Sequence, residues 1–147
     1  MATREVPGRS EVELPNRDVI IFVPSEDADG VAAPLADNLR RHGLVVLVIV
    51  AGPDSWTRVY DQVRAGARVI VFTVNKHCVL DESLFHELRR LHLREVPPNR
   101  LAIVHGLSDD LLSRCSDLFK STVVIPTDIG LERIADLITH GLASSVP

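Results

Sequence analysis

The chain is poor in several residue types and patterns, and each lack closes off a class of protein. It has 147 residues and two cysteines, Cys78 and Cys115, far apart in sequence. That is too few for a disulfide framework and the wrong spacing for a C-x-x-C metal site, so two free thiols in a reducing compartment are expected. Long apolar runs are missing. The longest, residues 44–50 with its flanks, is far short of the roughly 20 residues that cross a bilayer. The opening MATREVPGRSEVELPNR has no apolar segment of the kind a secretory signal carries. These features together predict a cytoplasmic protein without membrane insertion. Positive charge is not in excess either: the formal net charge is −4, and aromatic residues make up 4% of the chain. A nucleic-acid binder normally has a basic footprint, and one for single strands has aromatics interleaved with it, so no nucleic-acid partner is expected.

Familiar chemical signatures are absent as well. There is no G-x-G-x-x-G, no G-x-x-x-x-G-K-[ST] and no G-x-S-x-G, which removes the dinucleotide fingerprint, the Walker loop and the nucleophile elbow. His86 and His92 are six residues apart, and His77 lies nine before His86. Neither spacing puts two imidazoles on one helix face, so no metal site is expected. No internal repeat and no low-complexity segment occurs.

What is present is a regular alternation of strand and helix. Apolar runs rich in β-branched residues fall at 18–23, 44–50, 68–73, 101–105 and 122–125, and each reads as a buried strand. Apolar residues at helical spacing fill the gaps. A helix is predicted over 31–42, with Val31, Leu35 and Leu39 on one face, Pro34 in its first turn and Gly43 ending it. A second follows Asp54 or Ser55 and runs to Ala65, with Trp56, Val59, Tyr60 and Val63 inward and Gly66 as its stop. Further helices are predicted over 82–94, 108–119 and 129–142, the last burying Leu131, Ile134, Leu137 and Ile138. Residues 44–50 are apolar throughout, as expected for a strand covered on both faces. Five βα units with right-handed crossovers point to an α/β, flavodoxin-like three-layer fold with a five-stranded parallel sheet, order 2-1-3-4-5 favoured over a Rossmann variant. Residues 1–16 read as a flexible leader, 17–142 as one domain and 143–147 as a tail.

In such a sheet, ligands bind beyond the carboxyl ends of the strands. Here those ends are the loops 24–30, 51–55, 74–81 and 106–109. Asp27 and Asp29 after the first strand suggest a receiver-type acidic pocket. A receiver would also need an aspartate closing strand three and a lysine closing a later strand, and Phe72-Thr73 and Val104-His105 stand at the ends of strands three and four.

Several stretches resemble the joint superfamily of TIR and SEFIR domains, the SEFIR branch more closely. DVIIFVPSEDADGVAAPLADNLRRHG, residues 18–43, is similar to their first strand, loop and helix. GPDSWTRVYDQVRAGARVIV, residues 52–71, looks like the Trp-led helix that feeds the central strand. HELRRL, residues 86–91, resembles the third helix, and LAIVHGL and STVVIP fit the closing strands. The likeness spans about residues 18–142. It implies a protein-interaction module that self-associates or binds a similar domain in signalling, with no cofactor. As an alternative it implies an NAD-cleaving enzyme, an NAD+ nucleosidase with NAD as substrate. The residue matching the family's catalytic glutamate is Glu87, and Ser25 and Asp27 are possible pocket neighbours. The sequence departs from the enzymes where Ser83-Leu84 replaces Trp-Cys before the glutamate, and in the short loop 51–55. Interaction candidates are Trp56, Arg89, Arg90 and Arg94. Trp56 suits either packing on the sheet or anchoring a partner. The arginines oppose the acidic 25–29 loop and Asp109-Asp110, a charge pattern suited to head-to-tail association.

Overall fold

The computed structural model describes residues 18–76, 86, 87, 90, 101–114 and 123–145. Five parallel strands, β1 (Val19–Val23), β2 (Val46–Val50), β3 (Val69–Val74), β4 (Leu101–His105) and β5 (Val123–Pro126), form one sheet in the order β2-β1-β3-β4-β5. The fold is the flavodoxin-like α/β architecture with the strand order 2-1-3-4-5. β3 is the central strand. β1, β4 and most of β3 are buried along their length, which explains their near-continuous Val, Ile and Phe content: a strand covered on both faces has no solvent side on which to place a polar residue.

The helices divide between the two faces. α1 (Ala33–Arg41) and α4 (Leu131–Ser145) cover one, where Leu35, Ala36, Leu39, Ile134, Ala135 and Ile138 pack on Val19, Ile21, Val71 and Val104. α2 (Ser55–Arg64) and the short α3 (Asp109–Arg114) lie on the other, where Val59, Trp56 and Leu112 meet Ile20, Phe22, Phe72 and Ile103. The helix predicted over 82–94 lies largely outside the described residues.

Both predicted glycine stops have the geometry expected of them. Gly43 has φ 85° and Gly66 has φ 100°. After α1, the Gly43 N–H donates to Arg40 O at 2.9 Å and the Leu44 N–H to Leu39 O at 3.3 Å. After α2, the Gly66 N–H donates to Val63 O and the Ala67 N–H to Gln62 O, both at 3.1 Å. Each pair is a Schellman closure that needs a left-handed residue at the turn.

Some expectations are corrected. The chain enters α1 through a 3-10 turn (Ser25–Asp27) and a wide π turn (Ala28–Ala32), so regular helix begins at Ala33 instead of 31. β2 is not buried throughout: it is an edge strand, and Val50 is exposed. On α4, Leu137 is 46% exposed and Ala135 is fully buried. Of the predicted stripe, Leu131, Ile134 and Ile138 do pack on the core; Leu137 does not, and Ala135 joins the stripe, in the same cluster as Ala32 and Ala36 of the α1 side. The helical period itself explains this: 131, 134, 135 and 138 share one face and 137 falls to its side, where only its hydrophobicity suggests burial.

At the amino-terminal edge of the sheet, Asp18 joins three strands. Its Oδ2 accepts the Val45 N–H at 2.7 Å, its backbone oxygen accepts the Val69 N–H at 3.0 Å, and its Oδ1 lies 3.6 Å from Arg68 Nη1.

Candidate functional site

The carboxyl edge of the sheet is where the topology can build a site, and it is best formed between β1 and β3. The chain leaves β1 in one direction and β3 in the other, so the connections diverge and open a crevice there. Just before these strand ends, on the sheet face beneath α2, the packing is aromatic. Phe22 stacks on Trp56 at 4.8 Å between ring centroids and an interplanar angle of 30°, Trp56 stacks on Phe72 at 5.8 Å and 28°, and Phe22 meets Phe72 at 5.6 Å. Phe22 and Phe72 share a sheet face because they are register partners in adjacent parallel strands. Trp56 reaches them from the first turn of α2, which is fixed by Ser55: its Oγ donates to Gly52 O at 2.8 Å and accepts the Gly52 N–H at 3.2 Å. Trp56 is thus half-buried in a packed stack.

At the strand ends themselves the polar groups are tied to one another. Thr73 is buried, and its Oγ1 donates to Phe22 O at 3.3 Å. Asn75, the first residue beyond β3, donates from Nδ2 to Asp27 Oδ2 at 3.0 Å and to Glu26 Oε1 at 3.3 Å. One neutral amide therefore lies between two carboxylates that would otherwise repel each other. Ser25 is exposed in the same turn and Asp29 is exposed just beyond it. Among the described residues, no group of three His, Cys, Asp or Glu side chains is placed to hold a metal ion.

The next strand end is β4, closed by His105. It is 5% exposed and pairs in register with Val74 of β3 and Pro126 of β5. Its Nδ1 accepts the Leu107 N–H at 3.2 Å, so the neutral ring carries its proton on Nε2. Burial pushes the imidazole below its ordinary value of 6.5, and the nearby Asp128 carboxylate partly opposes that.

The other candidates lie on the α2 side. The Tyr60 hydroxyl donates to Glu87 Oε2 at 2.9 Å, and Glu87 Oε1 is 4.0 Å from Arg90 Nη1. The Arg90 guanidinium carbon is 5.8 Å from the Tyr60 ring centroid, and that of Arg64 is 6.0 Å from it. Glu87 and Arg90 thus clasp Tyr60, while Ser25 and Asp27 sit in the turn after β1. Arg89 and Arg94 lie outside the described residues. Sequence reasoning missed Thr73, Asn75 and the environment of His105. The available signal was positional: in a 2-1-3-4-5 sheet, the first polar residues closing β3 and β4 stand at the crevice.

The chain matches no protein-family model and no curated protein sequence. Solved structures with the same fold include a response regulator from Thermotoga maritima, with a TM-score of 0.55, 15% sequence identity, and 86% of this chain and 98% of that one covered. A response regulator receiver domain from Rhodospirillum rubrum gives a TM-score of 0.51 and 20% identity over 88% of this chain and 94% of that one. Likeness at these identities shows a shared fold. It corrects the TIR/SEFIR resemblance, because the matched structures are receiver-type and not TIR or SEFIR. The functions drawn from that resemblance, the homotypic module and the NAD-cleaving enzyme, fall with it. The physical reason is that the quoted stretches mark a strand, a helix or a glycine stop, features common to any sheet of this strand order. No described helix is long and apolar enough to cross a membrane.

Proposed function

We propose that this chain is a receiver-fold regulatory domain that works without accepting a phosphoryl group, and that it acts in the cytoplasm on a partner protein as a single domain over residues 17–142. The receiver-type folds of the two similar structures support the first half. The single observation that carries the second is Asn75, whose amide bridges Glu26 and Asp27 at the end of β3.

An aspartyl phosphate needs a carboxylate nucleophile at the strand end and cationic groups to offset the charge of the transferred phosphoryl. At these positions the chain has Thr73, Val74 and Asn75 closing β3, and Pro126, Thr127 and Asp128 closing β5. The Thr73 hydroxyl is turned into the sheet, toward the Phe22 carbonyl. No nucleophilic carboxylate closes β3 and no lysine closes β5. The crevice keeps the acidic turn of a receiver pocket and fills its centre with a neutral amide.

The test is incubation of the full chain with a small acyl phosphate and Mg2+, followed by intact mass measurement. The expected result is no phosphoryl adduct. An adduct that forms on the folded chain and is released by hydroxylamine, as an acyl phosphate would be, overturns the proposal.

A further inference from the structure

The connection from β4 to α3 is held by an acceptor that a proton can remove. His105 is buried at the end of β4, and its side chain shares a sheet face with Phe72, Val74 and Ile103 because alternate residues of a strand point the same way. Its Nδ1 lone pair receives the Leu107 N–H at 3.2 Å. Leu107 in turn packs on the core cluster of that sheet face, as does Leu112 of α3. The Gly106 N–H donates to Val74 O at 3.1 Å, the Leu112 N–H to Ser108 O at 2.9 Å, and the Leu111 N–H to Ser108 Oγ at 3.4 Å. The first residues after β4 are thus fixed in series: Gly106 to β3, Leu107 to the imidazole, and Ser108 to the first turn of α3.

We propose that His105 is a proton-operated latch on the β4–α3 connection, closed when the imidazole is neutral and opened when Nδ1 takes up a proton. The chemistry is a single proton transfer from solvent. In the neutral ring, Nδ1 is the acceptor and Nε2 carries the hydrogen. After protonation both nitrogens are donors. The Leu107 N–H then faces an N–H instead of a lone pair, and a half-buried backbone donor is left without its acceptor. The local answer is for Leu107 and the start of α3 to move away from the sheet edge.

The charges around the ring allow this titration. From β3 the register neighbour is Val74, and from β5 it is Pro126; neither is charged. The turn after β5 contributes Asp128, whose carboxylate favours the imidazolium. On the connection itself, Asp109 and Asp110 are exposed at the start of α3, and Lys76, two residues beyond β3, is exposed. Among the described residues, Asp128 is therefore the charge that opposes the effect of burial. The latch does not depend on the absence of phosphoryl transfer: an adduct in the experiment above would overturn that proposal and leave this one standing.

The sign follows from linkage. The folded-state pKa of His105 lies below its ordinary 6.5, so between the two values the unfolded chain binds more protons than the folded one. The stability that neutral His105 contributes is present above pH 6.5 and is lost as the pH falls through 6.5 toward the folded value.

The test is a pH titration of the full chain followed by NMR at two places, the His105 ring and the Leu107 amide, with the variants H105N and D128N. Asparagine keeps an acceptor near the position of Nδ1 and does not titrate. In the wild type, the ring is expected to titrate with a midpoint below 6.5 and the Leu107 amide resonance to move with that same midpoint. H105N should remove the pH-dependent movement and its share of the acid destabilisation. D128N should push both midpoints lower together, which keeps the test decisive if H105N does not fold. A Leu107 amide that stays still while the ring titrates overturns the proposal. So does a ring that never titrates in the folded chain, or a movement that persists unchanged in folded H105N.

Discussion

Replacing Phe22 with leucine tests the aromatic stack beneath α2, and the size of the effect can be worked from the packing. Phe22 is 3% exposed and meets two aromatic partners, Trp56 at 4.8 Å and Phe72 at 5.6 Å. Aromatic pairs contribute about 0.5–1.5 kcal/mol each beyond the area they bury, so losing both removes about 1–3 kcal/mol. The smaller side chain leaves roughly 20 Å3 of space, which at ~24 cal/mol per Å3 adds about 0.5 kcal/mol. The combined expectation is about 1.5–3.5 kcal/mol of destabilisation. Trp56 is the only tryptophan in the chain, so its fluorescence reports on the stack it forms with Phe22 and Phe72. Urea unfolding would be followed by that fluorescence and by far-UV circular dichroism together. With a slope of about 2 kcal/mol per M, the midpoint should fall by about 0.8–1.8 M. The native emission of Trp56 should also change, because one face of its indole loses its partner. An unchanged emission spectrum with a midpoint shift under about 0.2 M would refute the stack as a source of stability. A shift seen by fluorescence but not by circular dichroism would show that the stack unfolds separately from the sheet, and would refute the view that it belongs to the core.

Two other sites give sharp expectations. Asp18→Ala removes the acceptor of the Val45 N–H and the partner of Arg68, and should cost about 1–2 kcal/mol in thermal or urea unfolding. Asp18→Asn keeps an acceptor and should recover most of that loss; equal losses in the two variants would show that the Arg68 ion pair dominates instead. Gln62 is 7% exposed, and its Oε1 has no hydrogen-bond partner among the described residues. Gln62→Met keeps the length of the side chain and removes the stranded carbonyl, so it should raise stability by about 1 kcal/mol. A loss of stability would mean that the carbonyl is satisfied by an ordered water.

The fold was legible because it depends on signals that are local and strong. Continuous Val, Ile and Leu runs mark strands buried on both faces, glycine marks a positive-φ stop, and a helix stripe marks a face. Gly43, Gly66 and the central place of β3 were all readable in this way. The departures came where position decides and hydrophobicity does not. Val50 is as apolar as Val23, yet one ends an edge strand and is exposed while the other is fully buried. Leu137 is as apolar as Ile138, yet it falls beside the inward stripe of α4 and is exposed.

The site was harder to read for a different reason. Its polar residues have ordinary identities and gain meaning only from strand order. Asn75 is an unremarkable residue until β3 is known to lie beside β1, which brings its amide between Glu26 and Asp27. Glu87 and the acidic turn drew notice because carboxylates are the residue type that catalysis uses, but composition does not reveal which carboxylates are already engaged. The structure engages Glu87 with Tyr60 and places Arg90 beside it. The same logic separates the two polar strand ends. Asn75 is held by two charged partners, and taking it out would leave two carboxylates facing each other. His105 is held through one backbone hydrogen bond that a proton removes. Of the two, only His105 can change state near neutral pH without breaking a covalent bond. Of the polar groups at the carboxyl edge, His105 is therefore the one whose titration can loosen a connection without disturbing the acidic turn.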